Sequence, residues 1–463
     1  ASPTPVAGGM LAGMTALDEL GVGVHIPGPV SARVKLLGDR RVVWCEFAPS
    51  ARPTPLTQPQ TLTMELAART ALEERIPLAM VISSAGADIG EGIAATDGWG
   101  RVARALQRCS GVIPTFAVLD GPAVGGPALL LGLFDLVVVT EQAYAFVGGP
   151  VMVRQFTGID IDKAELGSAN TLERHAGFPV GVVADREAGQ LLIEDLLAYL
   201  PDHSDVDAPR WEPDDPVDRL TPEAGELIPE SSTGSYDVRQ VAAAIVDDGS
   251  LFEIRGRWAA NVVTAFATVG GHPIGIVANQ PMQLAGTLDI PASQKAARFV
   301  AFCDAFNLPI LTLVDTPGFY PGKDLEWRGM IRHGAQLVYA YGAATVPRVC
   351  VILRKSYGGA YIVMDSKRMG NDMCLAWPWA ELAVMGAGQA AAILQRRASA
   401  DEKAAFEADY AERLLNPYVA AERGYVDAVI DPADTRREVA AALAMLADKR
   451  ERIPRRKHGN TPL

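Results

Sequence analysis

The chain has 463 residues, about half of them apolar, and a formal net charge of −13. That length accommodates two cores of about 200 residues each, and the acidic balance argues against a nucleic-acid binder, because the chain would repel phosphate overall. The five cysteines, Cys45, Cys109, Cys303, Cys350 and Cys374, are scattered and form no C-x-x-C pair, which argues against a zinc site or a disulfide framework and fits a reducing cytoplasm.

The opening stretch, Ala1 to Gly9, lacks a charged region followed by an apolar block and does not read as a secretory leader. Leu62 to Glu74 predicts an amphipathic helix, and Ile76-Pro77-Leu78 leads from it into a strand over Ala79 to Ile82. Val112-Ile113-Pro114 precedes a second strand, Thr115 to Leu119, which runs on to Gly121-Pro122-Ala123-Val124-Gly125-Gly126-Pro127. The apolar run Ala128 to Thr140 contains Gly132 and Asp135. It is shorter than the ~18 residues needed to span a bilayer and reads as core helix passing into strand, so no membrane partner is expected. Residues 201–235 are rich in Pro, Asp, Glu and Ser, which is linker composition, with Trp211 standing out as a large apolar residue.

After this segment the same order returns. Gln294 to Phe306 has a helical pattern, and Leu308-Pro309-Ile310 leads into the strand Leu311 to Val314 and the turn Asp315-Thr316-Pro317-Gly318. Thr345-Val346-Pro347 precedes the strand Arg348 to Leu353 and then Gly358-Gly359. Pro309 follows Pro77 by 232 residues, Pro347 follows Pro114 by 233, and Gly359 follows Gly126 by 233. A near-constant offset across three landmarks is the mark of a duplicated domain. Alternating strands and helices of these lengths predict an α/β fold with helices covering the sheet. The two halves are drawn at 1–235 and 236–463. On spacing alone the basic tail, Lys449 to Lys457, reads as a solvated end.

Conventional catalytic signatures are missing from the sequence: there is no G-x-S-x-G, H-E-x-x-H, G-x-x-x-x-G-K-[ST], or G-x-G-x-x-G after a strand. The six histidines are dispersed. What remains is the two Gly-Gly turns, Gly125-Gly126 and Gly358-Gly359, each after a strand and before a helix. Glycine there lets backbone N–H groups reach a ligand, and a helix N-terminus adds partial positive charge. Two N–H groups aimed at one oxygen form an oxyanion hole, which can hold an enolate without any side chain. A single Gly-Gly turn is more often simple tight packing, but two at matching places in a duplicated chain favour function.

The second half closely resembles the carboxyltransferase (β) subunits of biotin-dependent acyl-CoA carboxylases, the propionyl- and acetyl-CoA carboxylase β and transcarboxylase core family. The resemblance is carried by Ile276-Val277-Ala278-Asn279-Gln280-Pro281, Ala285-Gly286-Thr287-Leu288-Asp289-Ile290, Lys295-Ala296-Ala297-Arg298-Phe299-Val300, Asp315-Thr316-Pro317-Gly318-Phe319, Arg354-Lys355-Ser356-Tyr357-Gly358-Gly359-Ala360-Tyr361 and Leu375-Ala376-Trp377-Pro378. The ending Lys457-His458-Gly459-Asn460 matches too, so the basic tail is part of the family pattern. The resemblance implies two crotonase-like (ClpP/crotonase superfamily) ββα-superhelix domains. It also implies a homo-hexamer in which a site forms between the N half of one subunit and the C half of another. The expected substrates are an acyl-CoA in the N half and carboxybiotin in the C half. The implied donors are the N–H groups of Gly125 and Gly126 for the thioester enolate, and those of Gly359 and Ala360 for the ureido oxygen. Ser84, Ala85, Gly86, Gly358, Tyr361 and Ile362 are implied to line the substrates. Biotin itself would act as base, so no acid–base pair is required, and no metal is implied. The chain has no Met-Lys-Met tripeptide and no ATP-binding loop. Biotin is therefore expected from a separate biotin carboxylase/biotin carboxyl carrier subunit, and the protein is expected in the cytoplasm.

The first half departs from the family. Where members show D-S-G-G-A-R, this chain has Ser83-Ser84-Ala85-Gly86-Ala87-Asp88. The usual F-G-G-S-L stretch is replaced by Ala51-Arg52-Pro53-Thr54-Pro55-Leu56, and Pro127 stands where alanine is usual. Phe146 to Pro150 and Glu165 to Ala169 match again. These changes concentrate where acyl-CoA would bind and point to an altered acyl group or an altered CoA-binding loop. Ile362 follows the second Gly-Gly turn where propionyl-type members have Asp. Two other readings stay open on sequence alone. One is a decarboxylase running the same chemistry backwards; the other is a non-catalytic structural subunit of a mixed ring.

Overall fold

The computed structural model describes residues 28–50, 53–449, 451 and 453–462. The leader reading at Ala1 to Gly9 lies outside them, as do Ala51 and Arg52 and, in the basic tail, Arg450 and Arg452.

Each half is built on one mixed sheet. In the first, β1 (Val30–Leu37) and β2 (Arg40–Phe47) form an antiparallel hairpin, and β3 (Leu78–Ser84), β4 (Thr115–Val124) and β5 (Leu136–Thr140) add in parallel. The short β6 (Tyr144–Phe146) pairs with the far end of β4, and β7 (Pro179–Val183) closes the edge beside β5. The second sheet begins with β8 (Phe252–Ile254) beside the hairpin of β9 (Val262–Val269) and β10 (His272–Asn279). It continues through β11 (Ile310–Thr316), β12 (Arg348–Tyr357) and β13 (Met373–Ala376), with β14 (Glu381–Ala383) on the far end of β12 and β15 (Ala428–Val429) at the edge. The strand runs expected from sequence all fall inside observed strands.

The duplication extends to irregularities. The β3–β4 ladder shifts register between Ile82 and Ser84, and the β11–β12 ladder shifts between Val314 and Thr316, 232 residues on. Isolated parallel bridges join Leu56 to Ala87 and Leu288 to Phe319. The helices Gln58–Glu74 and Ile290–Ala305 match, both with proline in the first turn. Thr57 and Gln60 form a capping box at the first, and Asp289 accepts the Ala292 N–H at the second. Both helices extend N-terminal to the amphipathic stretches read from sequence, because capping rather than the apolar pattern sets where they start.

The halves are not separate globules. One apolar cluster runs from Trp44, Phe116 and Leu196 in the first half to Phe266, Phe299 and Phe306 in the second. Tyr199 stacks on Phe266 at 5.7 Å and packs at a tilt against Trp211 at 4.9 Å. Residues 201–235, despite their linker composition, pack against the second half: Trp211 donates its backbone N–H to Gly271 O, and Thr221 donates to Ala433 O. Among the described residues no helix is long and apolar enough to cross a membrane.

Candidate active site

The site elements of the first half are two turns at the C-terminal ends of β3 and β4. Leaving β3, Ser84 is buried and its Oγ lies 3.2 Å from both the N and the O of Gly86. Gly86 has φ +118°, and a Cβ there would lie 3.4 Å from Val124 O at the end of β4. Leu56 N–H donates to Gly86 O and Asp88 N–H to Leu56 O. Successive backbone groups in an extended segment face opposite ways. The Ala87 N–H therefore faces away from Leu56. Ala85 is exposed, and Asp88 caps the following turn by accepting the Gly90 N–H at 2.8 Å.

The β4 turn separates the two glycines that the sequence paired. Gly125 takes φ +72° and donates its N–H to Phe146 O at 3.0 Å. That donor is occupied in holding β6. Gly126 opens the 3₁₀ helix Gly126–Leu133, where first-turn N–H groups have no intrahelical acceptor. Pro127 is buried in that first turn, where a missing N–H costs nothing. A Cβ on Gly126 would fall 2.8 Å from the indole of Trp99, so only glycine fits without moving that ring. Trp99, half-buried on the helix Ile93–Cys109, was not singled out from sequence; only its place between Gly98 and Gly100 marks it out.

The second half repeats the geometry. Thr316 Oγ1 lies 3.3 Å from Gly318 N and O, and Leu288 and Tyr320 pair around Gly318 as Leu56 and Asp88 do around Gly86. Gly358, with φ +60°, stands where Gly125 does, so Gly359 corresponds to Gly126 and Ala360 to Pro127. The two pairs implied by the resemblance are thus one residue out of step. Gly358, Gly359 and Ala360 form the first turn of the helix Gly358–Val363. A Cβ on Gly358 would lie 3.0 Å from Val384 O, and one on Gly359 would lie 3.5 Å from the Phe319 ring. Ser356 Oγ and Tyr361 Oη, flanking this turn, are buried with no hydrogen-bond partner among the described residues, and burial pushes the Tyr361 hydroxyl up to about 12. Ile362 is partly exposed.

The second turn is also braced by charge. Asp315 accepts from Arg354 Nε at 3.0 Å, the Tyr236 hydroxyl at 2.9 Å and the Lys355 N–H at 3.1 Å. All three side chains, Asp315, Arg354 and Tyr236, are buried, and burial, then the Asp315 charge, holds the Tyr236 hydroxyl well above its usual range. Burial, then the neighbouring Arg354, lowers the Lys355 amine. Tyr357 donates its hydroxyl to the Glu381 carboxylate. Among the described residues no group of three or more His, Cys, Asp or Glu could hold a metal ion.

Two backbone turns, each presenting N–H groups at a glycine that leaves room beside it, can stabilise oxygen anions without a side-chain acid or base. The carboxyl transferase domain matches residues 51–461. The propionyl-CoA carboxylase β chain of Saccharopolyspora erythraea is 45% identical over 419 residues, covering 86% of this chain and 76% of the relative. The methylmalonyl-CoA decarboxylase subunit α of Veillonella parvula is 42% identical over 396 residues, covering 85% and 77%. A crystal structure of the transcarboxylase 12S hexamer with hydrolysed methylmalonyl-coenzyme A bound superposes with TM-score 0.91 at 41% identity, covering 94% of this chain and 85% of that one.

Proposed function

This chain belongs to the carboxyl transferase family, on the side of the biotin-dependent acyl-CoA carboxylase β subunits, and we propose that it moves a carboxyl group from carboxybiotin to the α carbon of an acyl-CoA with the following division of labour. The first half holds the acyl thioester. Its oxygen, which gains charge as the α proton leaves, lies against the Gly126 N–H, with the Ala87 N–H across the paired turns as second donor. The second half holds the ureido oxygen of biotin against the N–H groups of Gly359 and Ala360. Carboxybiotin, when bound, supplies both the carboxyl group and the base. The second turn fits it: its donors face no intrahelical acceptor, a Cβ at Gly358 would crowd the floor, and Ser356 Oγ lies buried and unpartnered beside it.

The observation that carries this reading is the matched pair of turns. Ser84 with Gly86 and Thr316 with Gly318 make the same hydrogen bonds, and Gly125 and Gly358 make the same left-handed step. A scaffold without catalysis has no need of two such turns. Ser84, Ala85 and Gly86 form one wall of the acyl-CoA side, and Gly358, Tyr361 and Ile362 one wall of the biotin side. The two walls meet between subunits of a hexamer. Exposed apolar residues on matching surfaces support this, Val147 and Phe156 in the first half and Val384 and Ile393 in the second. The partner in turnover is a biotin carboxylase/biotin carboxyl carrier polypeptide, and such a reaction belongs in the cytoplasm.

The test is carboxylation of a panel of acyl-CoAs by the purified chain with a biotin carboxylase and carrier subunit, ATP and labelled bicarbonate. Acid-stable label in one acyl-CoA class is expected and names the acceptor. No label from any acyl-CoA, with the carrier still bound, would overturn the reading in favour of a scaffold.

A further inference from the structure

A cavity of about 260 Å³ lies where the two halves meet, at the end of the 3₁₀ helix that Gly126 opens. The first half contributes Phe134 and Phe178 to its wall, and the second contributes Trp258, Arg255, Lys295 and Arg298. Arg255 follows β8 in a left-handed conformation, φ +56°, and its backbone N–H donates to Val180 O on β7. Its side chain is thereby carried into the junction, where the residue is only 9% exposed. Among the described residues its five N–H donors make a single hydrogen bond, Nη2 to Asp135 O at 3.3 Å, and it has no ion-pair partner.

The neighbouring charges do not neutralise it. The Asp135 carboxylate accepts from Thr115 N at 3.1 Å and Thr115 Oγ1 at 2.8 Å, and pairs with Arg298 at 3.3 Å. Arg298, half exposed, stands between the cavity and solvent. Lys295 Nζ is turned into backbone: it donates to the carbonyls of Arg255, Trp258, Ala259 and Val262. The Asp135 carboxylate is thus engaged by Arg298 and Thr115, while Arg255 reaches only the Asp135 backbone carbonyl, and its positive charge is buried without an ion-pair partner among the described residues. A desolvated charge without a partner is costly, and a planar carboxylate matches the guanidinium fork with two parallel hydrogen bonds. The aromatic walls offer few donors to the further oxygens of a phosphate but would accept a short alkyl tail. The volume excludes anything as large as coenzyme A.

We propose that this cavity is a binding site for a small aliphatic monocarboxylate, held by Arg255 with Arg298 at the mouth and packed against Phe134, Phe178 and Trp258. The site is separate from the two glycine turns and does not depend on the reaction assigned to them. Titration calorimetry on the full chain with sodium propionate, at matched ionic strength against inorganic phosphate and chloride, tests it. One saturable propionate site per chain is expected, tighter than phosphate. Arg255→Met should weaken it at least about tenfold, with Arg255→Lys between, and all variants should keep the wild-type oligomer size. Should Arg255→Met fail to fold, Arg298→Met reports instead, because it loosens the mouth and leaves the buried guanidinium in place. Saturable binding of propionate unchanged in both methionine variants would overturn the proposal, as would no saturable propionate binding at all. Phosphate binding tighter than propionate would overturn the carboxylate assignment.

Discussion

The first turns of the two halves share a backbone and differ in what braces it. Ser84 and Thr316 make the same pair of contacts to the glycine two residues on, and Gly86 and Gly318 both take positive φ. Around the second turn, Asp315, Arg354 and Tyr236 form a buried charged cluster. In the first, Ser83 stands at the position of Asp315 and Gly121 at the position of Arg354, and a Cβ on Gly121 would fall 2.6 Å from Ser83 Oγ. A short-range hydrogen bond and a left-handed glycine are enough to specify the turn. The side chains behind it are free to diverge with the ligand, and they have diverged in the half assigned to acyl-CoA.

The contrast can be broken most strongly at Arg354. Arg354→Met strands the buried Asp315 carboxylate and should cost about 3–5 kcal/mol, read as a lower urea midpoint. Ser83→Ala, the matched change in the first half, should stay within ~1 kcal/mol. Equal losses would mean that the charged cluster is not what separates the halves. Gly126→Val comes next: it forces Trp99 to move and misaligns the Gly126 N–H, and should cut label transfer to acyl-CoA by ~10²–10³-fold, beyond the ~1–3 kcal/mol of stability that overpacking against Trp99 costs. Turnover equal to wild type would remove Gly126 from the reaction. Ser84→Ala and Thr316→Ala each lose one side chain's hold on a glycine turn and should each destabilise by ~1 kcal/mol; a large disparity would show that the shared backbone geometry is not equally supported. The smallest effect is expected at Asp88. Asp88→Arg places a cation at the turn that faces the phosphate-bearing acyl-CoA and should lower its KM by a few-fold, equivalent to ~1 kcal/mol, with kcat unchanged.

Much of this was readable before any coordinates. The offsets of Pro77 to Pro309 and Gly126 to Gly359 gave the duplication, because a repeated domain must keep its strand entries and turns. The family resemblance named the chemistry. That the Gly125 N–H is already engaged was not readable. The Gly125 N–H is taken by Phe146 O on a three-residue strand whose pairing no local pattern signals. The one-residue mismatch of the two implied donor pairs could have been found, since Pro127 lies 233 residues before Ala360. Trp99 against Gly126 and Arg255 in the interdomain cavity are tertiary contacts between residues far apart in sequence, and residues 201–235 pack through Trp211 in spite of their composition.

The central claim is that one active site is made from two unlike halves belonging to different subunits. Mixing tests it most directly. Gly126→Val and Gly359→Val homomers should each be inactive in the labelled-bicarbonate assay. When the two are dissociated and reassembled together, some sites regain an intact first half facing an intact second half, and activity should return to a substantial fraction of wild type. Mixed assemblies that form but remain as inactive as either parent would contradict the claim and place both turns of each site within a single chain.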